Sequence, residues 1–316
     1  MQGRSIVRSD SGHKRAFVHQ PGSSGTSRRS IRQRNTWAYL MVTPYLVCVT
    51  LFFVIPFLFA VPVSLTDWSI IGRPRLVGLA NYIRLFTDSS VLQALWNTVR
   101  YVVMQVPSLM VIGLGLALLL NAPLRGRTLA RVIVVMPYVV NVVVMGIIWR
   151  WMFDPNFGMI NHYLRRIGLE GSWWLTDTQT AMLSIVIANW WWSAGFNTVV
   201  YLAGLQGIPR ELYEAAAVDG ATGWVAFRHV TLPCLRPVTF YILLMDTITS
   251  FQLFGEPFVM TQGGPLGSTT TLTYKIYNSA FMELKLGYAS AISVLFLAVI
   301  GVLILIQSRV VKSEID

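Results

Sequence analysis

The chain has 316 residues, of which 54% are hydrophobic and only 12% charged, and its formal net charge is +11 at pH 7. Soluble globular proteins carry roughly a quarter of charged residues, so this composition excludes an ordinary soluble domain and indicates that lipid surrounds most of the chain. The two cysteines and four histidines show no spacing typical of a disulfide framework or a metal site, so we predict no metal.

The N-terminal 34 residues are rich in Ser, Gly and Arg and nearly free of large apolar side chains. Such a segment cannot bury enough surface to offset its ordering entropy, so residues 1–34 are predicted to be a disordered, basic cytoplasmic tail. The hydrophobic run that follows starts too late and runs too long for a cleavable signal peptide. We assign residues 35–93 to the first transmembrane helix and an outer loop with an interfacial segment, 94–309 to a core of five more helices, and 310–316 to a cytoplasmic C-terminus.

Uncharged runs long enough to cross a bilayer core, which needs roughly 20 apolar residues, determine the number of spans. Five contain no Asp, Glu, Lys or Arg, and a sixth contains only Asp246 and Glu256. The six runs are Asn35–Thr66, Tyr101–Leu124, Val132–Trp149, Thr178–Pro209, Pro237–Thr261 and Leu286–Ser308. A helix satisfies its own backbone hydrogen bonds in hydrocarbon, so we predict an all-α membrane protein of about six transmembrane helices.

The basic residues are distributed unequally between the two sides of these spans. Sixteen fall in the tail, after the second and fourth spans and after the last, whereas seven fall in the other three loops. This bias is the positive-inside pattern of a membrane protein and does not indicate nucleic-acid binding. It predicts that both termini are cytoplasmic.

The fourth span carries an unusual mixture of aromatic and polar side chains. An aromatic face packs against the C–H surface of a sugar ring, and a neighbouring amide or hydroxyl bonds its hydroxyl groups. Interfacial aromatic belts are the alternative, and three consecutive tryptophans cannot all face one cavity, so Trp190 or Trp192 could face lipid. The residues that we predict to line a substrate path are Asn189, Trp191, Ser193, Phe196 and Asn197.

A cytoplasmic segment of about 25 residues then interrupts the hydrophobic pattern. Pro209 suits the first turn of a helix, Gly220 suits a left-handed stop, and Thr222 could cap a second short helix. The small side chains of Ala215 to Ala217 allow close approach of another protein, while Glu214 and Asp219 offer carboxylates to it. These residues alone fit a docking elbow and an ordinary interfacial connector equally well.

The fifth span places polar groups where lipid would penalise them, so some of them must face the path or a partner subunit. Thr249, Ser250 and Gln252 are our choices. Asp246 could contact substrate, but pairing with an arginine of a neighbour is the preferred alternative. Because no Lys or Arg falls inside any predicted span, a neutral solute is favoured over a phosphate ester.

None of the four lysines follows a glycine, so the chain has no P-loop. ATP would therefore be hydrolysed by another protein, and this chain would bind no cofactor. The scattered acidic residues show no paired pattern, which argues against a membrane enzyme acting on lipid-linked sugars, and we predict no catalytic residue. The absence of an internal repeat argues against an ion-coupled secondary transporter.

The cytoplasmic segment resembles the EAA signature of permease subunits from binding-protein-dependent ABC importers. The matching residues are Glu214-Ala215-Ala216, then Gly220, then Leu232-Pro233. WRWMFDPNFGMIN at 149–161 and TQGGP at 261–265 are similar to its carbohydrate branch, the maltose and glycerol-phosphate permeases. The resemblance implies a type I importer fold with a cytoplasmic coupling helix in the EAA loop, residues 208–236. The coupling residues carried over are Glu211, Glu214, Ala215, Ala216, Asp219, Gly220, Leu232 and Pro233.

The same resemblance implies the partners. They are a second, homologous permease, two copies of a cytoplasmic ATPase and an extracytoplasmic solute-binding protein, assembled in the cytoplasmic membrane of a bacterium or archaeon. The transported solute would be a sugar or oligosaccharide, with glycerol 3-phosphate or another polar solute as the alternative.

Overall fold

A computed structural model describes residues 28–123 and 125–315, and side-chain surroundings from residue 39 to 309 within these ranges. The regular secondary structure in this part of the chain is helical, apart from two isolated β-bridges, Thr66 with Leu76 and Ser69 with Lys285. The predicted all-α class is therefore confirmed. Most of the predicted tail lies outside the described residues, and the first helix begins at Arg28.

The chain forms fourteen α-helical segments within the described ranges. They are α1 Arg28–Val49, α2 Ile55–Ser64, α3 Ala80–Thr87, α4 Ser89–Asn121, α5 Arg127–Val139, α6 Val142–Met152, α7 Met159–Arg166, α8 Ala181–Gln206, α9 Arg210–Val218, α10 Trp224–Ala226, α11 Leu232–Cys234, α12 Arg236–Phe251, α13 Leu272–Tyr277 and α14 Leu286–Ile315. Single π-helical turns occur at Thr50–Val54, Phe227–Thr231, Pro257–Thr261 and Asn278–Met282.

Three helical stretches of the described chain are long and apolar enough to cross a membrane, namely Tyr39–Ser64, Ser89–Asn121 and Leu286–Arg309. The pair α5 and α6 is a fourth if it is counted as one span, but it bends by 100° between Val139 and Val142. The predicted span over Val132–Trp149 is therefore formed by two helices joined at a bend, not by one straight helix. Asn141 caps α6 by accepting a hydrogen bond from the N–H of Val143 at 2.8 Å, which separates the two helices.

The fourth and fifth predicted spans correspond to α8 and α12. Helix α8 has 26 residues and carries three consecutive tryptophans and two asparagines. Helix α12 has 16 residues and ends at Phe251, ten residues before the predicted end of its span at Thr261. The total of six spans stays a prediction.

Contacts divide the chain into two units, Met1–Pro56 and Phe57–Asp316. In the described part of the first unit, large apolar side chains such as Met41, Phe52 and Phe53 are exposed, as expected for a helix that faces lipid or another subunit. The second unit contains three buried clusters, and α4 contributes to each of them, through Tyr101, Val91 and Ala117 respectively. Helix α4 is therefore the central element of this unit.

Two glycines allow helix backbones to approach closely in this unit. A Cβ atom on Gly113 of α4 would lie 2.6 Å from the Cβ of Asn197 in α8, and one on Gly195 of α8 would collide with the backbone of Val134 and Val135 in α5. Helices α4, α5 and α8 therefore pack backbone against backbone, a contact that small residues permit in membrane proteins.

Asp88 connects the start of α4 to the start of α14. Its carboxylate accepts hydrogen bonds from the N–H and hydroxyl of Ser90, at 3.0 and 2.7 Å, and from the hydroxyl of Tyr288 at 2.7 Å. Partial burial acts to raise the pKa of Asp88, but these hydrogen bonds and the charge of Lys275 outweigh it and lower the pKa to about 2. A carboxylate with a lowered pKa stabilises the fold above its ordinary pKa of 3.8, and this contribution is lost as the pH falls from about 4 towards 2.

We therefore expect Asp88→Ala to lower the free energy of unfolding at pH 7 by about 1 kcal/mol, the usual cost of losing a helix cap. Thermal melting of the detergent-purified protein measures the loss, and the difference from the wild type should shrink as the pH approaches 3. Asp67→Ala is the control, because the Asp67 side chain is exposed. An equal loss in the control, or a difference that does not change with pH, would contradict the prediction.

Candidate functional site

The docking segment, residues 208–236, folds as the elbow that the sequence predicts. Helix α9 ends in a left-handed residue, Gly220, with φ of +78°. The N–H of Ala221 bonds the carbonyl of Ala216 at 2.8 Å and that of Gly220 bonds Ala217 at 3.1 Å, so the last carbonyls of α9 are satisfied. The second helix begins after Gly223, which provides no side-chain cap, so the expected cap by Thr222 is wrong.

The elbow is held to the membrane helices by a few inward-facing residues. Ile208 and Leu235 are buried in one cluster with Tyr201 and Leu202 of α8. The hydroxyl of Tyr213 lies 3.0 Å from that of Thr231, which connects α9 to the turn before α12. The contact fixes the first arm of the elbow to the second.

The predicted coupling residues lie on the other side of this elbow. Glu211, Glu214, Ala215, Asp219 and Gly220 are exposed, Leu232 is 37% exposed, and Ala216 and Pro233 are partly buried. Val218 and Trp224 are also exposed, by 88% and 70%. Apolar side chains this exposed on a connector between two helices indicate a surface that another protein covers. Whether the ATPase covers it stays a prediction.

A cavity of about 350 Å³ lies between α4, α5, α8 and α12. Seven of the eight residues predicted for the substrate path line it, and the exception is Trp191, which is 43% exposed and packs edge-on against Trp149. The seven are Asn189, Ser193, Phe196, Asn197, Thr249, Ser250 and Gln252. The next residue along the helix, Trp192, takes the place at the cavity that was predicted for Trp191.

One wall of this cavity is aromatic. The ring of Tyr138 stacks on Phe196 with the centroids 5.5 Å apart, and it lies 5.8 Å from the ring of Trp192. The indole N–H of Trp192 bonds the carbonyl of Val140 at 2.8 Å, at the bend between α5 and α6. The carbonyl at the bend therefore holds Trp192 beside Tyr138.

Two buried amide–carboxyl pairs form the polar part of the lining. Asn189 donates to Glu256 at 2.6 Å and accepts from Gln105 at 2.7 Å and from Ser193 at 3.0 Å. Asn197 donates to Asp246 at 2.6 Å. The pairs join α8 to α12 and to the turn beyond it.

The arginine partner expected for Asp246 is not found among the described residues, where the ion pairs are those of Glu283 with Lys275 and Lys285. No Lys or Arg is among the residues that line the cavity. Two buried atoms, Oε1 of Gln105 and Oδ1 of Asn197, have no hydrogen-bond partner within the described chain. The cavity therefore offers amide and carboxyl groups beside aromatic faces, a combination that suits a neutral polyhydroxylated molecule.

Sequence reasoning missed Gln105, Tyr138, Trp192 and the role of Glu256 in this lining. Gln105 could have been found, because a glutamine in an otherwise apolar span is costly unless it faces a polar partner. Tyr138 reaches the lining because α5 packs against α8, and counts of uncharged residues do not detect this packing.

Residues 109–315 match the family described as binding-protein-dependent transport system inner membrane component. This chain belongs to that family. The permease resembles the sulfoquinovosyl glycerol transport system permease protein SmoG of Agrobacterium fabrum, which is 36% identical over 279 residues, covering 88% of this chain and 91% of that protein. It is also 36% identical over 285 residues to the sn-glycerol-3-phosphate transport system permease protein UgpA of the same species, with 88% and 95% covered.

Its fold matches a solved membrane transporter. A chain in the crystal structure of a bacterial alginate ABC transporter, in complex with an alginate pentasaccharide-bound periplasmic protein, aligns with a TM-score of 0.79 at 23% identity, covering 89% of this permease and 95% of that chain. The predicted importer fold is therefore confirmed. The permease is a membrane component of a binding-protein-dependent transport system.

Proposed function

We propose that this permease carries a neutral sugar or oligosaccharide across the cytoplasmic membrane. The observation that supports this is the cavity between α8 and α12, where the rings of Tyr138, Trp192 and Phe196 face amide and carboxyl groups and no basic side chain is present among the lining residues. A sugar ring needs an apolar face to stack on and hydrogen-bonding groups around it. A phosphate would meet two carboxyl groups, Asp246 and Glu256, and no cation among the described residues that line the cavity.

The family membership and the exposed elbow support the partners that we propose. A second permease completes the path, two ATPases dock on the two elbows, and an extracytoplasmic binding protein delivers the solute. Binding of ATP closes the ATPase pair and moves the elbows, so that the cavity opens outward, and hydrolysis resets it. Both termini of this permease lie in the cytoplasm, in agreement with the distribution of basic residues.

Uptake into proteoliposomes that contain the complete importer, with its binding protein outside and ATP inside, tests the proposal. Neutral oligosaccharides should compete with the transported solute, and glycerol 3-phosphate should not. The names of relatives such as UgpA make glycerol 3-phosphate the second candidate. Preferential uptake of the phosphate ester would refute the neutral-sugar proposal, and uptake by this chain alone along an ion gradient would refute the importer mechanism.

The position of Trp192 gives a sharper prediction within the same assay. Removing an aromatic face that stacks on the solute costs about 1.4 kcal/mol, or about tenfold in the apparent affinity for uptake. We expect this loss for Trp192→Ala and recovery of most of it in Trp192→Phe, which keeps an aromatic ring. Trp191→Ala is the matched control because Trp191 lies outside the cavity lining. An equal effect of the two alanine variants would show that the ring of Trp192 does not contact the solute.

A further inference from the structure

A second concave site lies on a different face of α8 from the sugar cavity. It is a groove of about 270 Å³ between the end of α4, the start of α5 and the end of α8. Thr198, Leu202 and Gln206 line it on α8, whereas Asn189, Ser193 and Asn197 face the cavity. Within each set the residues are four positions apart. The two sets lie on faces of α8 that are about a quarter turn or more apart, because an α-helix has 3.6 residues per turn.

The groove contains one cation, Arg131. One of its terminal nitrogens, Nη2, donates to the carbonyl of Leu120 at 3.2 Å, in the last turn of α4. Its Nε is buried and has no hydrogen-bond acceptor within the described chain. Among the lining residues there is no Asp or Glu. A guanidinium N–H that is removed from water without an acceptor is costly, so an acceptor from outside the described residues would stabilise Arg131.

Apart from Thr198 and Gln206, the rest of the groove is apolar, and so are neighbouring residues. Val135, Val199 and Leu202 are among the lining residues. Leu119, Val132 and Met136, which lie close by in sequence, expose 61%, 52% and 61% of their surface. This combination of a cation at one end and a branched apolar wall matches the two parts of an anionic phospholipid, the phosphate and the acyl chain.

We propose that this groove binds an anionic phospholipid, whose phosphate accepts hydrogen bonds from Arg131 and whose acyl chain lies against Val135, Val199 and Leu202. The positive-inside pattern places Arg131 at the cytoplasmic leaflet, where headgroups of this kind meet basic side chains. The site is independent of the sugar cavity. A bound lipid would satisfy Arg131 and fill the groove between α4, α5 and α8.

Native mass spectrometry of the complete importer, titrated with phosphatidylglycerol or phosphatidylcholine, tests the proposal. We expect the wild type to bind phosphatidylglycerol in preference to phosphatidylcholine, and Arg131→Gln to weaken binding of phosphatidylglycerol about five- to tenfold. Arg131→Lys should retain part of the affinity. Arg127→Gln is the matched control, since Arg127 lies one turn earlier, is exposed and does not line the groove; its affinity should change less than about twofold.

Val199→Trp keeps the charge and narrows the acyl groove at a residue that is 47% exposed, so it should weaken phosphatidylglycerol binding even if Arg131→Gln does not assemble. Equal binding of the two lipids by the wild type would overturn the proposal. The finding that a residue of the partner permease fills the groove would also overturn it. Displacement of phosphatidylglycerol by inorganic phosphate alone would show that the site takes a free anion, which also overturns it. Sugar uptake is not used in this test, so its outcome is separate from that of the proposed function.

Discussion

Gly220→Val should reduce sugar uptake by the assembled importer more than tenfold while ATP hydrolysis continues. Gly220 has φ of +78°, and a Cβ atom there would meet nothing within 4 Å. The cost of valine is therefore one of backbone conformation and not of crowding, on the order of 1–2 kcal/mol. The end of α9 must reorganise to avoid it, and the exposed surface from Glu214 to Gly220 changes shape. A loss of about 1.4 kcal/mol in the free energy of docking already weakens the docking affinity about tenfold.

Two further variants separate docking from general damage to the protein. Gly220→Asn should retain most of the uptake, because asparagine tolerates the left-handed region better than other residues. Gly126→Val imposes the same backbone cost at a second glycine with positive φ, +82°, and open surroundings, but outside the docking segment. It should leave the ratio of uptake to ATP hydrolysis unchanged. Coupled transport in Gly220→Val, or equal uncoupling in Gly126→Val, would count against the assignment of the docking surface.

Asn189→Leu is expected to destabilise the protein by about 2 kcal/mol and to abolish uptake. Asn189 makes two buried hydrogen bonds, with Gln105 and Glu256, and a partly buried one with Ser193. Leucine has a similar volume but leaves the carboxyl group of Glu256 and the amide of Gln105 without this partner. A buried polar group deprived of its partner costs more than the hydrogen bond itself contributed, because it can no longer be solvated by water.

The double variant Asn189→Leu with Glu256→Met distinguishes stability from transport. Replacing both members of a buried polar pair by apolar groups is often nearly neutral, so the melting temperature should recover most of the loss. Uptake should not recover, because the solute needs the polar wall. Recovery of uptake together with stability would mean that Asn189 and Glu256 only hold α8 against the turn after α12.

Much of this architecture could be predicted from the sequence because helices that cross a bilayer appear as long runs without charged residues. Runs without charge predicted α4, α8 and α14, and local helix signals at Pro209 and Gly220 predicted the first arm of the elbow and its left-handed end at the correct residues. These features depend on local composition or on a few residues close in sequence. The bend at Asn141 could not be predicted in this way, because the sequence is uncharged on both sides of it. The bend is caused by a helix cap inside the apolar segment.

The choice between Trp191 and Trp192 shows a second limit. Neighbouring residues on a helix point about 100° apart, so a one-residue error decides whether a ring meets the cavity. Helix α8 is apolar on several sides and its buried residues surround it. The hydrophobic pattern therefore does not indicate which side of the helix faces the cavity. The pairing of Asn189 with Glu256, 67 residues away, likewise depends on how α12 and its following turn pack, which no local pattern encodes.

The close contacts at Gly113 and Gly195 limit where the permease can deform. Side chains can slide over one another through small rotamer changes, but two backbones in contact have no such compliance. Helices α4, α5 and α8 should therefore move as one mechanical block during the transport cycle. In the proposed cycle, strain that arrives from the ATPases would then be absorbed at the joints around this block, such as the bend before α6 and the turn that leads into α12.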